Sequence, residues 1–132
     1  HLKTGDVLMS VLNIAKFTTA SITISATSGG ASGDVLYTCP ANHDGLVRFL
    51  HITNGSTNNK KVSIEIYHAS TTSYKNLVND LAMSANTVTD IIPGGSLLHL
   101  NAGDKLVCHM ESGGTFDVTT SVEEHYEPHK SS

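Results

Sequence analysis

The sequence has 132 residues and a formal net charge of −4, and this length corresponds to one domain. Hydrophobic residues make up 39% and charged residues 15%, and no apolar run approaches the roughly 18 residues of a membrane span, which argues against a coiled coil, a disordered acidic tail and a membrane protein. Only eight residues are Lys or Arg, which disfavours nucleic acid as a partner because phosphate binding depends on clustered basic side chains.

The N-terminal segment has the hydrophobic spacing of a helix. Apolar residues stand at positions 7, 8, 11, 12 and 15, and Asp6 is a suitable N-cap. We predict a short helix or an arm over residues 1–16, which either folds back onto its own core or docks on a neighbouring subunit. The segment lacks a basic region followed by an apolar core and a cleavage site, so we expect no secretory signal.

From residue 17 onward the apolar residues recur with period two, which indicates β-strands. Residues 21–25 alternate as a half-buried strand does, and residues 35–39 form a short strand that ends before Pro40. Residues 46–53 are nearly all apolar, so we predict a central strand that is buried on both faces.

The second half contains two turn signals between further strands. The Asn-Gly pair predicts a hairpin loop over residues 54–59, and Asn54-Gly55-Ser56 is interpreted as a turn rather than as a glycosylation site. Residues 101–104 predict a second hairpin, and residues 74–81 are ambiguous between strand and helix. The other predicted strands cover residues 61–69, 87–92, 96–100, 105–110 and 116–126.

Eight or nine short strands without alternating amphipathic helices predict an all-β protein. We expect an antiparallel β-sandwich or jelly roll of about eight strands. This domain spans residues 17–126, and the polar tail, residues 127–132, is expected to be flexible.

Histidine is the one over-represented reactive residue, with eight copies. His99 and His109 stand on the two arms of the predicted 101–104 hairpin, where they would approach each other, and Glu111 would complete a metal triad. The His-x-His pair of cupin-type metal sites is absent. We therefore favour ordinary strand positions for both histidines.

Other pairs of reactive residues give weaker indications of a functional site. His125 and His129 have a spacing that converges only on a helix, and Pro128 interrupts any helix there. Glu123 and Glu124 are adjacent, so they point to opposite faces of a strand and cannot act together as a hydrolytic carboxylate pair. There is also no Gly-x-Ser-x-Gly motif that would indicate a nucleophilic serine.

The glycines and cysteines indicate structure rather than chemistry. Gly29, Gly30 and Gly33 lie in a Ser-Gly loop that opens no helix, so they do not form a phosphate-binding motif. Cys39 and Cys108 have no metal or redox spacing and are expected to be buried free thiols, although a disulfide between adjacent strands stays open. We predict no catalytic, cofactor-binding or metal-binding residues and no enzymatic activity.

One stretch carries a resemblance to a known group of proteins. Residues 35–42, Val-Leu-Tyr-Thr-Cys-Pro-Ala-Asn, resemble a strand and turn of the form LYTxPAg, with Cys39 at a position that is usually a small aliphatic residue. The matching segments continue through residues 46–55, 62–68 and 97–106 to a closing strand that ends at Glu123 or Glu124. This order is similar to small β-sandwich virion structural proteins of tailed bacteriophages, including accessory head, neck and tail-fibre proteins.

The resemblance implies a structural role in a phage virion that is assembled in the host cytoplasm. It also implies a homo-oligomer, for which we favour a trimer over a dimer, and docking to other virion proteins. Ser and Thr together contribute 30 residues, and uncharged polar strands of this kind protect sheet edges poorly, which also favours self-association.

Two other functions stay open at this point. A carbohydrate- or receptor-binding module would use the polar loops at residues 26–34, 41–45 and 54–59. A metal-dependent jelly-roll enzyme would use His99 and His109 with Glu111. We rank the non-enzymatic virion protein first, the binding module second and the enzyme third.

Overall fold

The computed structural model describes residues 15–92 and 95–128. Within these ranges the chain forms nine β-strands and one short 3-10 turn, Gly30–Ser32. The strands are β1 Ala15–Thr23, β2 Asp34–Thr38, β3 His43–Asn54, β4 Lys60–His68, β5 Ser73–Met83, β6 Thr87–Asp90, β7 Leu98–Leu100, β8 Lys105–Met110 and β9 Phe116–Tyr126. The predicted all-β class is confirmed, and residues 74–81 belong to a strand.

The strands form two antiparallel sheets that pack face to face. Sheet A has the order β1-β9-β3-β6, with β7 also paired to β3, and sheet B has the order β2-β8-β4-β5. Four of the strand pairs are nested in sequence, as they would be in a single long hairpin folded over on itself: β1 with β9, β2 with β8, β3 with β6 and β4 with β5. Successive pairs lie in opposite sheets, which is the jelly-roll arrangement and confirms the predicted sandwich.

The core lies between the sheets and consists of aliphatic side chains with few aromatic ones. In β9 the residues Phe116, Val118 and Val122 are fully buried, and the alternate residues face solvent, as the period-two pattern predicts. Strand β3 also alternates, but a bulge between Val47 and Phe49 shifts its period: Val47, Leu50 and Ile52 are buried, whereas the residues between them are not. The prediction that residues 46–53 are buried on both faces is therefore wrong, because among residues 15–92 and 95–128 no third layer covers the outer face of sheet A.

Both predicted hairpins are wrong, although both turn signals mark real turns. Strands β3 and β4 lie in different sheets, so residues 55–59 cross from one layer to the other. Residues 101–104 likewise carry the chain from β7 in sheet A to β8 in sheet B. A jelly roll places most consecutive strands in opposite sheets, and the same Asn-Gly and Gly-Asp chemistry that closes hairpins also closes these corners.

The described sandwich begins slightly before the predicted domain boundary. Strand β1 begins at Ala15, two residues before the predicted start of the sandwich at residue 17. The rest of the predicted helix or arm, residues 1–14, and the end of the predicted tail, residues 129–132, lie outside the described residues. Glu127 donates its backbone N–H to the carbonyl of Asn42 at 2.7 Å, so the backbone stays attached to the sandwich to this point.

Candidate functional site

The outer face of sheet A carries a group of imidazoles and carboxylates near one end of the sandwich. We call Asp44, His99, Glu123 and His125 the histidine–carboxylate cluster. Strand register explains the grouping: β3 lies between β9 and β7, so Asp44 is opposite His125, and Leu46 is opposite both Glu123 and His99. Alternation places these side chains on one face of the sheet.

Each imidazole of the cluster contacts a carboxylate. His99 Nε2 lies 3.1 Å from Asp44 Oδ1, and His125 Nε2 lies 2.7 Å from Glu123 Oε2. Arg48 donates through Nε to Glu123 Oε1 at 3.0 Å. The pKa of the Glu123 carboxyl is lowered below its ordinary value, chiefly by the hydrogen bond with His125. The positive charge of Arg48 and its hydrogen bond lower this pKa further.

The cluster borders an open depression of about 300 Å³, which is lined by Asp44, Leu46, His99, His125 and Glu127. None of these five lining residues carries a hydroxyl or thiol group. The carboxylates and imidazoles are engaged with one another rather than directed at a common point. Among residues 15–92 and 95–128, no three His, Cys, Asp or Glu side chains converge as a metal site requires.

The metal triad of the third-ranked alternative, the jelly-roll enzyme, is not assembled. His99 lies in sheet A and His109 in sheet B, because the corner at residues 101–104 separates β7 from β8. His109 Nδ1 lies 3.9 Å from Glu65 Oε1, and Glu111 accepts the backbone N–H of Lys61 at 3.0 Å. The grouping that would have supported a jelly-roll metalloenzyme is thus wrong.

A buried polar group in the core was missed by sequence reasoning. Glu124 is only 5% exposed, and its carboxylate accepts a hydrogen bond from Tyr37 Oη at 2.5 Å. Burial, followed by the neighbouring Glu124, raises the pKa of the Tyr37 phenol above its ordinary range. The signal was present in the sequence, since Glu124 has the same strand parity as Val118 and Val122.

The cysteines are free and buried, as predicted. Cys39 is 1% exposed and Cys108 is fully buried. Desolvation raises the pKa of Cys39 to about 11 and that of Cys108 to about 12. Both groups therefore behave as small hydrophobic side chains with unreactive thiols.

The loop at residues 26–34 packs on the outer face of sheet B. Gly30 donates its backbone N–H to Glu65 Oε1 at 2.7 Å. A Cβ on Gly33 would lie 2.5 Å from Val107 Cγ1, and one on Gly29 would lie 2.8 Å from the His109 ring, so the close approach requires glycine at both positions. These glycines are thus packing residues.

The polar loops at residues 26–34, 41–45 and 54–59 do not form one surface. The first and third surround the β8–β9 turn: Met110 donates its backbone N–H to Ala26, and Gly55 donates to Thr115. Residues 41–45 lie at the other end of β3, whose length of 12 residues corresponds to roughly 40 Å. A binding site that combines all three loops is therefore not available.

Asn54 anchors a corner between the two sheets, and its side chain is buried in the folded chain. It is fully buried, and its side-chain amide donates to the carbonyls of Asn58, Met83 and Ser84 at 3.1–3.2 Å. Its side-chain oxygen accepts the backbone N–H of Ser56 at 2.9 Å. The prediction of a turn rather than a glycan site is consistent with this burial.

The exposed large hydrophobic side chains concentrate on the sheet edges. Phe17 on β1 is 67% exposed and Val88 on β6 is 61% exposed, and these strands form the two edges of sheet A. Val35 is exposed on β2, which is an edge of sheet B, and Leu97 is exposed directly before β7. Apolar residues at open edges are suited to contacts with another protein.

Comparison with known proteins supports the fold. No family model and no curated protein matches the sequence. The structure is similar to a chain of the Bacillus endospore appendages, described as a novel family of disulfide-linked pili, with a TM-score of 0.52, 8% identity, and coverage of 87% of this chain and 90% of that one.

A second similar structure is a chain of infectious bursal disease virus, Gx strain, with a TM-score of 0.53 and 10% identity. The match covers 88% of this chain and 33% of the viral chain, so this chain spans about a third of that protein. In the part of the chain that the structure describes, no helix is long and apolar enough to cross a membrane. At these identities the comparisons show a shared β-sandwich fold.

Proposed function

We propose that this chain is a non-enzymatic structural protein of a phage virion. It acts as a capsid decoration, neck or tail accessory protein by associating with copies of itself, with a trimer favoured over a dimer, and by docking to other virion proteins. It takes its place in the virion during assembly in the host cytoplasm.

The observation that carries this proposal is the placement of exposed apolar side chains along the edge strands of the described sandwich. Phe17, Val88 and Val35 are each exposed on an edge strand, where an apolar side chain is available to a partner. The histidine–carboxylate cluster, by contrast, consists of imidazoles and carboxylates that contact one another within the chain. These edge positions are the surfaces on which the proposed assembly would rest.

The comparisons support the same proposal. The two similar structures belong to a pilus-like appendage and to a virus, which are both assemblies of many subunits. In this chain both cysteines are buried and free, so contacts between its copies would be non-covalent, in contrast to the disulfide-linked pili.

The proposal is tested on particles of a phage that carries the gene. Mass spectrometry of density-purified particles should detect the chain in fixed proportion to the major capsid protein. A phage with a stop codon in the gene is the control, and its particles should lack the chain. If the chain is present in the lysate but absent from purified particles, the virion role is wrong.

A further inference from the structure

The four open edges of the two sheets differ in how they are protected. The β2 edge is five residues long and carries a bulge between Val35 and Tyr37. The β6 and β7 edge consists of two strands of four and three residues, separated by residues 91–97. Irregular and short edges of this kind resist pairing with another strand.

The β5 edge is longer but is also distorted. Its pairing with β4 shifts register twice, and Asp80 has a φ of +49° within the strand. The edge also carries charges at Lys75 and Asp80. Bulges and charged side chains are the usual means by which proteins prevent edge-to-edge contact.

Within the part of the chain that the structure describes, the β1 edge lacks these protections. It has nine residues, its register with β9 runs without a bulge from Ala15 to Thr23, and Lys16 is its one charged residue. It contains no proline. A long and regular edge that carries one charge is the kind that accepts another strand.

The register determines which backbone groups of β1 are open. Ile24 donates its backbone N–H to Phe116 at 2.8 Å, and antiparallel ladders alternate, so the even-numbered residues of β1 bond to β9. The backbone groups of Phe17, Thr19 and Ser21 consequently point to the free edge. The side chains of the same residues lie on the outer face of sheet A.

We propose that β1 pairs antiparallel with β1 of a second copy of this chain, about a two-fold axis at Thr19. Phe17 then pairs with Ser21 of the other copy, and each such pair exchanges two backbone hydrogen bonds. Both requirements of the ladder are met, since the paired residues have open backbone groups and lie on the same face. The two A sheets become one continuous sheet across the contact.

Charge favours the antiparallel arrangement. In a parallel pair the two Lys16 side chains would be direct neighbours, whereas the antiparallel pair places each Lys16 opposite Ile22 of the other copy. The two ammonium groups are then separated by six residue positions, or roughly 20 Å. The antiparallel contact also covers Phe17, which is 67% exposed in the single chain.

This inference rests on the proposed assembly function and names one contact within it. The contact is isologous, because the same strand serves both copies. It yields a dimer, and a trimer would require a different, heterologous surface. Particles that contain both two-fold and three-fold contacts are compatible with it.

The test uses opposite charges at the axis. In Thr19→Lys two ammonium groups face each other across the two-fold axis, and in Thr19→Asp two carboxylates do, so we expect each dimer to dissociate roughly tenfold more readily. An equimolar mixture of the two variants places opposite charges across the axis and should recover the wild-type dimer. Sedimentation equilibrium measures all three, and circular dichroism checks that each variant is folded.

The matched control is Ser121→Lys. Ser121 is the β9 partner of Thr19, so the same charge lies on the same face but one strand away from the edge. This variant should dimerise like the wild type. If Thr19→Lys dimerises as well as Ser121→Lys, or if mixing does not restore the dimer, the β1 contact is wrong, while an associating wild type still supports the proposed function.

A disulfide cross-linking measurement tests the same contact without introducing a charge, in case the charged variants at Thr19 do not fold. Hydrogen-bonded antiparallel partners have Cα atoms about 5.5 Å apart, which is within disulfide range. Thr19→Cys should therefore form a covalent dimer on mild oxidation, and Ser121→Cys should not. Equal cross-linking of the two variants, or none, would overturn the inference. A wild type that is monomeric at every concentration tested would oppose both this contact and the proposed self-association.

Discussion

Glu124 and Tyr37 show how a single buried pair contributes to this core. A carboxylate between two aliphatic sheets is stable only when its oxygens have partners. Tyr37 provides a hydroxyl donor, Thr18 Oγ1 lies 3.4 Å from the carboxylate, and Lys16 Nζ lies 3.9 Å away. The pair joins β2 of sheet B to β9 of sheet A and so fixes the relative position of the two layers.

Replacement of this tyrosine tests the contribution. Tyr37→Phe leaves Glu124 Oε2 buried without its donor, and we expect a loss of about 1–3 kcal/mol in the free energy of unfolding. Urea denaturation measures the loss. Tyr74→Phe, which removes the hydroxyl of a half-exposed tyrosine, should change stability by no more than about 0.5 kcal/mol. Equal effects of the two variants would show that the buried hydrogen bond contributes little.

The raised pKa values of the two thiols predict that the free energy of unfolding decreases at alkaline pH. Burial raises the pKa of Cys39 to about 11 and that of Cys108 to about 12, from an ordinary value of 9.0 in the unfolded chain. Their contribution is fully present below pH 9 and is lost as the pH rises through these folded-state values, because the unfolded chain releases its thiol protons first.

We therefore expect the urea midpoint to fall between pH 9 and about 11. Cys108→Ala removes one of the two thiols, so the alkaline fall should be shallower in this variant even if its stability at neutral pH is lower. A wild-type midpoint that does not change over this pH range would contradict the assignment.

At the level of elements, corners are held by side chains rather than by sheet pairing. Asp104 is buried, and its carboxylate accepts the backbone N–H groups of Ala69 and Asn101, both at 3.0 Å. At the opposite end of the sandwich, the Asn54 amide donates to three backbone carbonyls and its side-chain oxygen accepts one backbone N–H. Each of these residues satisfies backbone groups where the chain leaves one sheet for the other.

Removal of the Asn54 amide should destabilise that end. Asn54→Ala leaves three buried or partly buried carbonyls and the N–H of Ser56 without their partners, and we expect a loss of about 3 kcal/mol. Thermal unfolding measures the effect. Asn59→Ala is the matched control, since Asn59 is exposed and accepts one hydrogen bond, from Ala85. A loss below 1 kcal/mol for Asn54→Ala would mean that water replaces the amide.

The elements also show why the sequence predicted strands well and their pairing poorly. Strands β8 and β9 were predicted with the observed bounds, because alternation is a local property of each segment. The β5 strand was ambiguous because two register shifts against β4 break the period of two. The hairpins at residues 54–59 and 101–104 were wrong because turn chemistry does not specify whether the next strand pairs with the last one or crosses to the other sheet.

On the scale of the whole molecule, the fold is closed by its first and last described strands. Strand β9 lies between β1 and β3 over its full length, so it holds the centre of sheet A. We expect a chain truncated before Phe116 to lose its cooperative unfolding transition, because β1 would have no partner in the sheet. Circular dichroism during heating measures this.

The control truncation removes residues 129–132 alone. It should keep the wild-type transition, in agreement with the predicted flexible tail. A folded, cooperative protein without β9 would mean that sheet A is held together by other contacts.

The sequence by itself determined the all-β class, the faces of most strands and the burial of both cysteines, because these properties depend on hydrophobic period and residue type. It also identified the turn positions. Only the tertiary structure decided that His99 and His109 lie in opposite sheets, that Glu124 meets Tyr37 in the core, and that β1 is the regular open edge. These features depend on which distant strands pair, and pairing is set by the packing of two complete sheets rather than by any local segment.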